Sequence, residues 1–311
     1  MKYSKFDSYL YSKCFHAWKN KKVARYFYCI YRAFRLKYSD PLVKYNNGEY
    51  NIILPLSQNL FFYQESYPFF DKRLRIINNY IKDALGKDRL TVIDIGANIG
   101  DTILEMGKEN RNDYYVAIEG EEKYSALIKI NLEMNDIKNY DLIYTYLSDS
   151  DSVEKYSSIC GKGTGKLVKN EEKETIFHTL DYVLQSKNII PDLVKIDTDG
   201  FDFKIMRGAK HTLEIDKPVL YFEYGINDWI SQDENIYDVF PYLYERGYRK
   251  AIFFDNFGNY IDIIDVRDND KIEELVNPVI EQSTQIYYYD VLVFPELDAF
   301  HMDKFVKMIK G

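Results

Sequence analysis

With 311 residues and 46% hydrophobic content, the chain is long enough for one large α/β domain plus an appendage and can bury a sizeable core, so it should fold. Residues 1–40 carry ten Lys/Arg against Asp7 and Asp40, net +8, which leaves −16 on the rest of a chain totalling −8; the main body thus lacks the basic footprint that nucleic acid requires. Cys14, Cys29 and Cys160 are odd in number and far apart, which indicates neither a disulfide framework nor a zinc site and suits a reducing cytoplasm.

The first forty residues read as a basic, aromatic, amphipathic helical extension. Lys and Arg interrupt "YLYSKCFHAWKNKKVARYFYCIYRAF" throughout, which excludes a standard signal peptide and a spanning helix. Val23, Phe27, Ile30 and Phe34 recur at i, i+4, i+7 and i+11, one helical face, while Lys22, Arg25, Arg32 and Arg35 fall largely elsewhere. Such a helix, within residues 10–38, suits peripheral association with the inner surface of an anionic membrane. It equally suits packing on its own domain or on a second copy.

Residues 41–87 supply a hairpin and a helix leading into the core. In "VKYNNGEYNIIL", Asn46, Asn47 and Gly48 are turn formers between β-prone runs, and Phe69 to Ala84 has a helical pattern. From 88 to 296 strands alternate with helical intervals, at Thr91–Ile95, Tyr114–Glu119, Asp141–Leu147, Leu193–Asp197, Val219–Glu223, Lys250–Phe254 and Tyr287–Phe294, as parallel βαβ units require. Residues 297–311 read as a tail helix. Asp94, Glu119, Asp197 and Glu223 end four apolar strands, and the carboxyl ends of such strands are where open α/β sheets bind ligands. Ser148 to Ile176, polar and glycine-containing, reads as a long functional or mobile loop. Its "CGKGTGKL" imitates a phosphate loop but fails at Cys160 and Leu167.

"TVIDIGANIGD" is a strand entering a glycine-punctuated turn. A dinucleotide fingerprint needs G-x-G-x-x-G, and Ala97 occupies one of its glycine positions. What remains is Asp94, two residues before Gly96, and Glu119 at the end of the next strand, where an acid accepts the ribose hydroxyls of an adenosine. Asp94 suits an ammonium group, which a pyrophosphate lacks. S-adenosylmethionine has these parts: adenosine, an amino-acid ammonium and a sulfonium, with no phosphate.

The succession "VIDIGANIGD", "VAIEGEEKYSALIKINLEMN", "LSDSDS", "HTLDYVL", "DLVKIDTDGFDFKIMRGA" and "PVLYFEYG", over roughly residues 88–260, resembles the FkbM family of S-adenosylmethionine-dependent methyltransferases. The resemblance implies a Rossmann-like α/β fold: a seven-stranded, mostly parallel sheet with helices on both faces and a reversed last strand. It also implies that Asp94, Gly96, Ala97, Asn98 and Gly100 form the methionine-side loop, that Glu119 and Gly120 hold the ribose, and that Ser148 and Asp149 lie near the adenine. The family usually reads K-I-D-x-E-G where this chain has "KIDTDG", so Asp199 is one methylene shorter.

Methyl transfer from a sulfonium is an in-line displacement, and an alcohol acceptor must also lose a proton to a positioned base. Asp197 is the first candidate for that base, with Lys195 on the same strand face to orient it and Glu223 facing the site. His178, after the long insert, is a further candidate. Asp197 and Asp199 also admit a Mg²⁺ or Mn²⁺ ion gripping a sugar diol, and a metal-dependent glycosyltransferase would use the same pair. Tyr224 and Trp229 are candidates for stacking on a sugar ring or for the core. The reading reached is a cytoplasmic O-methyltransferase of a saccharide or glycoconjugate precursor of the surface-polysaccharide type. A hydroxyl or amine of a small metabolite is the alternative acceptor.

Overall fold

The computed structural model describes residues 2–70, 72–161 and 163–310. Two N-terminal helices, α1 (Lys5–Lys19) and α2 (Ala24–Leu36), precede the hairpin of β1 (Leu42–Asn46) and β2 (Asn51–Pro55), then α3 (Leu60–Ser66) and α4 (Arg73–Leu85). The hairpin turns where expected: the Asn46 side chain accepts the Gly48 N–H, and the Asn47 side chain accepts those of Glu49 and Tyr50. Cys14 and Cys29, distant in sequence, meet as free thiols with sulfurs 4.0 Å apart, one on each N-terminal helix.

The alternating series then unfolds as β3 (Thr91–Ile95), α5 (Asp101–Gly107), β4 (Tyr114–Ile118), α6 (Glu122–Met134), β5 (Tyr140–Ile143), β6 (Tyr146–Leu147), β7 (Ser152–Gly161) and β8 (Thr164–His178). It continues through α7 (Leu180–Lys187), β9 (Leu193–Ile196), α8 (Asp202–Arg207), β10 (Val219–Tyr224), α9 (Ile226–Ser231), α10 (Val239–Glu245), β11 (Tyr248–Asp255), β12 (Tyr260–Asp265), α11 (Asn269–Ile280), β13 (Tyr289–Pro295) and α12 (Met302–Lys310). The main sheet runs β12-β11-β13-β10-β9-β3-β4-β5. Pairing is parallel from β10 to β5, while β13 opposes both its neighbours. The expected seven strands and reversed last strand are therefore present. An eighth edge strand, β12, is added by the hairpin it makes with β11.

Period-two alternation assigns each strand residue to one of two cores. Ile93, Val116, Val194, Leu220, Phe253 and Val291 pack with α7 to α11 on one face. Val92, Tyr115, Leu193, Tyr221, Phe254 and Leu292 pack on the other with α4 to α6, α12, the β1–β2 hairpin and Tyr11 of α1. The segments before residue 88 and after 296 thus share a core with the second face of the sheet. No helix among the described residues is long and apolar enough to cross a membrane.

Two expectations are corrected here. The segment from Ser148 to Ile176 is not a loop: β7 and β8 pair as a long antiparallel hairpin that closes between Gly161 and Thr164 and joins β6 in a three-stranded sheet. Buried Tyr156, Thr175 and Phe177 anchor it, whereas Val153, Ile159 and Ile176 stay exposed. Two polar strands supply their own backbone hydrogen bonds without an apolar run, so the sequence pattern is silent about them. Lys162, within the phosphate-loop imitation, lies outside the described residues. The strand expected over Asp141–Leu147 is broken, with β5 in the main sheet and β6 in the hairpin sheet.

Candidate active site

Parallel order reverses between β3 and β9, since the chain goes from β3 outward to β4 and β5 and then returns to the other side. That switch point opens a crevice at the strands' carboxyl ends. The turn after β3 fills it with backbone. Gly96 has φ +74°, and a Cβ there would lie 1.8 Å from the Asp197 carbonyl oxygen, so no side chain fits. Gly96 and Ala97 donate their N–H groups to the Ile118 carbonyl, Asn98 turns left-handed at φ +49°, and Gly100, at φ +82°, opens α5 against Ile128. Glu119 ties the turn to the next strand: its carboxylate accepts the Asn98 N–H and the Glu121 N–H, each at 2.8 Å. A carboxylate retains acceptor capacity beyond two such bonds.

Register builds the charged floor. Asp94 on β3, Lys195 on β9 and Tyr221 on β10 are successive cross-strand partners on one face. Asp197 follows two residues after Lys195, and Glu223 is paired opposite Asp290 of β13. The Lys195 ammonium lies 3.1 Å from Asp94 and 3.2 Å from Asp197. Burial acts to lower the Lys195 pKa, but the charges of Asp197, Asp94 and Asp101 together outweigh it and hold the group well above its ordinary value. Lys195 is therefore a fixed cation and not a proton acceptor. The "DTDGFD" turn is held by buried Asp202, which accepts the N–H groups of Thr198 and Gly200. Asp199 sits left-handed at φ +52° in that turn, a conformation that Asp tolerates.

Too few cations face these acids. Burial raises Glu119 to about 7 against the N–H bonds it accepts. Burial, then the Asp197 charge, raises Asp199 to about 6 and both Asp202 and Asp290 to about 7. Asp101 reaches about 6 by burial. Glu223, partly open to the cavity but surrounded by protein, is held well above the ordinary carboxyl range by burial, then by Asp197, Asp202, Asp199 and Asp290. A cavity of about 310 Å³, a size within the range of small-ligand sites, is lined by Asp101, Glu119, Asp199, Glu223 and Asp290, with Asp202 fully buried outside its lining.

Of the residues singled out from sequence, Gly96, Asn98, Glu119, Gly120, Lys195, Asp197, Asp199 and Glu223 line this cavity. Asp94 lies beneath it, fully buried, and Ala97 and Gly100 support the turn from behind. Five others are not brought there. Ser148 is buried with its N–H on the His178 carbonyl, and Asp149 pairs with Arg207; Tyr146 and Leu147, just before them, line the cavity instead. The Tyr146 ring packs where Gly120 leaves room, since a Cβ there would meet it at 2.2 Å. His178 stands at the base of the β7–β8 hairpin, 3.1 Å from Asp151 and stacked on Tyr182. Tyr224 and Trp229 are fully buried against each other, with ring centroids 5.0 Å apart, and belong to the core. The aromatic wall comes from Tyr63, Phe69 and Phe70 in the segment before the domain, and from Tyr288. Asp101, Asp290 and Tyr221 were also missed, although Asp290 follows the same rule of an acid near a strand's edge.

The paired-carboxylate metal site has no support: among the described residues, no three His, Cys, Asp or Glu side chains stand together as ligands of an ion. The cavity does fit S-adenosylmethionine. Asn98 Oδ1 and Thr198 Oγ1 are buried without a hydrogen bond, and Asp94, whose Oδ1 meets Lys195, leaves Oδ2 without one, next to a turn whose Gly96 exposes bare backbone. Carboxylates with raised proton affinity favour a cation.

The model of the methyltransferase FkbM domain family matches residues 94–250. No curated protein matches the chain. Among solved structures, the methyltransferase FkbM of Methylobacillus flagellatus KT is 14% identical, with 53% of this chain and 40% of that one covered at a TM-score of 0.39, so the chain spans two fifths of that protein's length. The precorrin-6y C5,15-methyltransferase of Geobacter metallireducens GS-15 is 13% identical over 71% of this chain and 87% of that one, TM-score 0.38. TYW2 of M. jannaschii, solved in complex with AdoMet, is 12% identical over 83% and 88%, TM-score 0.42.

Proposed function

The chain belongs to the FkbM family of methyltransferases, and from that premise we propose that it is an S-adenosylmethionine-dependent O-methyltransferase of a saccharide or glycoconjugate hydroxyl. The observation that carries the reading is the Gly96 turn tied to Glu119 above an acidic, phosphate-unfriendly floor. Glu119 would hold the ribose hydroxyls, the Gly96–Asn98 backbone the amino-acid end with Asp94 charging the floor beneath it, and Tyr146 with Leu147 the base. Bound there, S-adenosylmethionine supplies an electrophilic methyl group on a sulfonium.

Asp197, 46% exposed on the cavity floor, is the acceptor for the hydroxyl proton, and Lys195 fixes its direction from below. Glu223, whose carboxyl is held well above the ordinary range by burial and the acids around it, donates a hydrogen bond to the acceptor. The saccharide is favoured by the wall: Tyr63 and Phe70 are stacked with centroids 5.4 Å apart, and such faces pack on the apolar side of a sugar ring while the carboxyls take its hydroxyls. The excess of carboxyls over cations also favours an amine-bearing acceptor as a second reading.

Calorimetric titration with S-adenosylmethionine tests the cofactor, and absence of binding at millimolar concentration removes the proposal. Mass spectrometry of glycans from cells with and without the protein then tests the acceptor: loss of one methyl on a sugar oxygen is expected, and a methyl lost from an amine selects the second reading.

A further inference from the structure

The helix predicted from Val23, Phe27, Ile30 and Phe34 does form, and it turns that face away from the protein. Those four side chains are 83%, 69%, 70% and 57% exposed, and no residue of α2 is buried. What docks α2 is its opposite side. Arg32, about half a helical turn around from the stripe, donates to the carbonyls of Leu56, Ser57 and Gln58, and Arg35 pairs with buried Asp7. A helix held to its own domain by polar contacts, with its aromatic and aliphatic stripe in water, has its apolar surface reserved for something else.

The charges say what. Lys21 and Lys22 flank one end of the stripe and Lys37 the other; none of them forms an ion pair among the described residues, and the body behind carries −16 while residues 1–40 carry +8. A second copy placed face to face would set these cations against their duplicates. An anionic bilayer complements both features at once: its headgroups meet the cations, its acyl boundary takes Phe27, Ile30 and Phe34, and its charge repels the acidic body so that only this face approaches.

We propose that α2 is a peripheral membrane-docking face that lies in the headgroup region of an anionic lipid bilayer. The carbonyl clamp of Arg32 ends at Gln58, which lines the cavity, so the docked surface is one side chain away from the site wall. The proposal does not rest on the methyltransferase reading.

The test is sedimentation of the full chain with lipid vesicles, with no cofactor or acceptor present. Vesicles rich in phosphatidylglycerol are expected to carry the protein down and pure phosphatidylcholine vesicles to leave it in solution, with binding that weakens as salt is added. Phe27→Ser/Ile30→Ser/Phe34→Ser, all at exposed positions that leave the fold unchanged by circular dichroism, is expected to reduce partitioning about tenfold or more. Lys21→Glu/Lys22→Glu/Lys37→Glu should abolish the preference for phosphatidylglycerol. Absence of vesicle binding, or binding that the apolar triple substitution leaves unchanged, overturns the proposal. So does a concentration-dependent dimer in sedimentation velocity that the same substitution dissolves without any lipid association.

Discussion

Lys195 and Asp94 face each other as register partners of two parallel strands, with their charged groups 3.1 Å apart and only 7% and 0% of the side chains exposed. Such a pair endures only as a pair, because removing one member strands a buried charge at a cost of about 3–5 kcal/mol. Lys195→Met is therefore expected to lower the unfolding free energy by about that amount in urea titrations. Lys195→Met/Asp94→Asn should recover most of it while S-adenosylmethionine binding stays lost. Recovery of binding together with stability would show that the pair serves the fold alone.

Gly96 tests the turn itself. An alanine there meets the Asp197 carbonyl and must also accept φ +74°, and left-handed strain alone costs about 1–3 kcal/mol. Gly96→Ala is expected to lower Tm and abolish cofactor binding by calorimetry. Gly86→Ala is the control: it shares a positive φ but meets nothing within 4 Å, so it should cost stability without loss of affinity.

The acidic cavity should make both stability and affinity depend on pH, in opposite senses. Asp101, Glu119, Asp199, Asp202 and Asp290 titrate in the fold at about 6 to 7, above the value of about 4 for an unfolded carboxyl. Over that interval the folded chain binds more protons than the unfolded one. Its stability is thus fullest at the lower end and is lost as pH rises through the folded values. Scanning calorimetry of the ligand-free protein should give a higher Tm near pH 5.5 than near pH 7.5. A cationic cofactor prefers the ionised carboxylates, so its affinity should rise over the same range. A flat affinity profile would remove Asp101, Glu119, Asp199 and Asp290 from the cofactor's surroundings.

Much of this was legible in the sequence, for physical reasons that can be named. The Gly96 turn is a local feature, since the glycines and Asp94 sit within a few residues of one another, and period-two alternation puts Lys195 and Asp197 on one strand face. The β7–β8 hairpin was not legible, because Lys- and Glu-rich strands pair through backbone groups that leave no apolar pattern. Trp229 read equally as a ligand-stacking or a core residue because sequence gives no depth; it is a core residue wedged against Phe203, Phe222 and Tyr224. The aromatic wall was missed for the opposite reason. Tyr63 and Phe70 lie outside the matching motifs and reach the cavity only because the segment before residue 88 packs against the sheet's second face.

Asp197 and Glu223 separate base from hydrogen-bond donor. Both line the cavity, but Asp197 has Lys195 at 3.2 Å whereas Glu223 is held well above the ordinary carboxyl range by burial and by Asp197, Asp202, Asp199 and Asp290. An amide mimics a protonated carboxyl and cannot take a proton. Asp197→Asn is therefore expected to reduce kcat by about 10²–10⁴, the usual worth of a positioned base, with S-adenosylmethionine affinity nearly unchanged. Glu223→Gln should stay within about tenfold in kcat, with the acceptor's KM raised. Single-turnover methyl transfer to a glycan acceptor reads both. If the two responses are exchanged, Glu223 is the base and Asp197 only carries the Lys195 charge to the cavity floor.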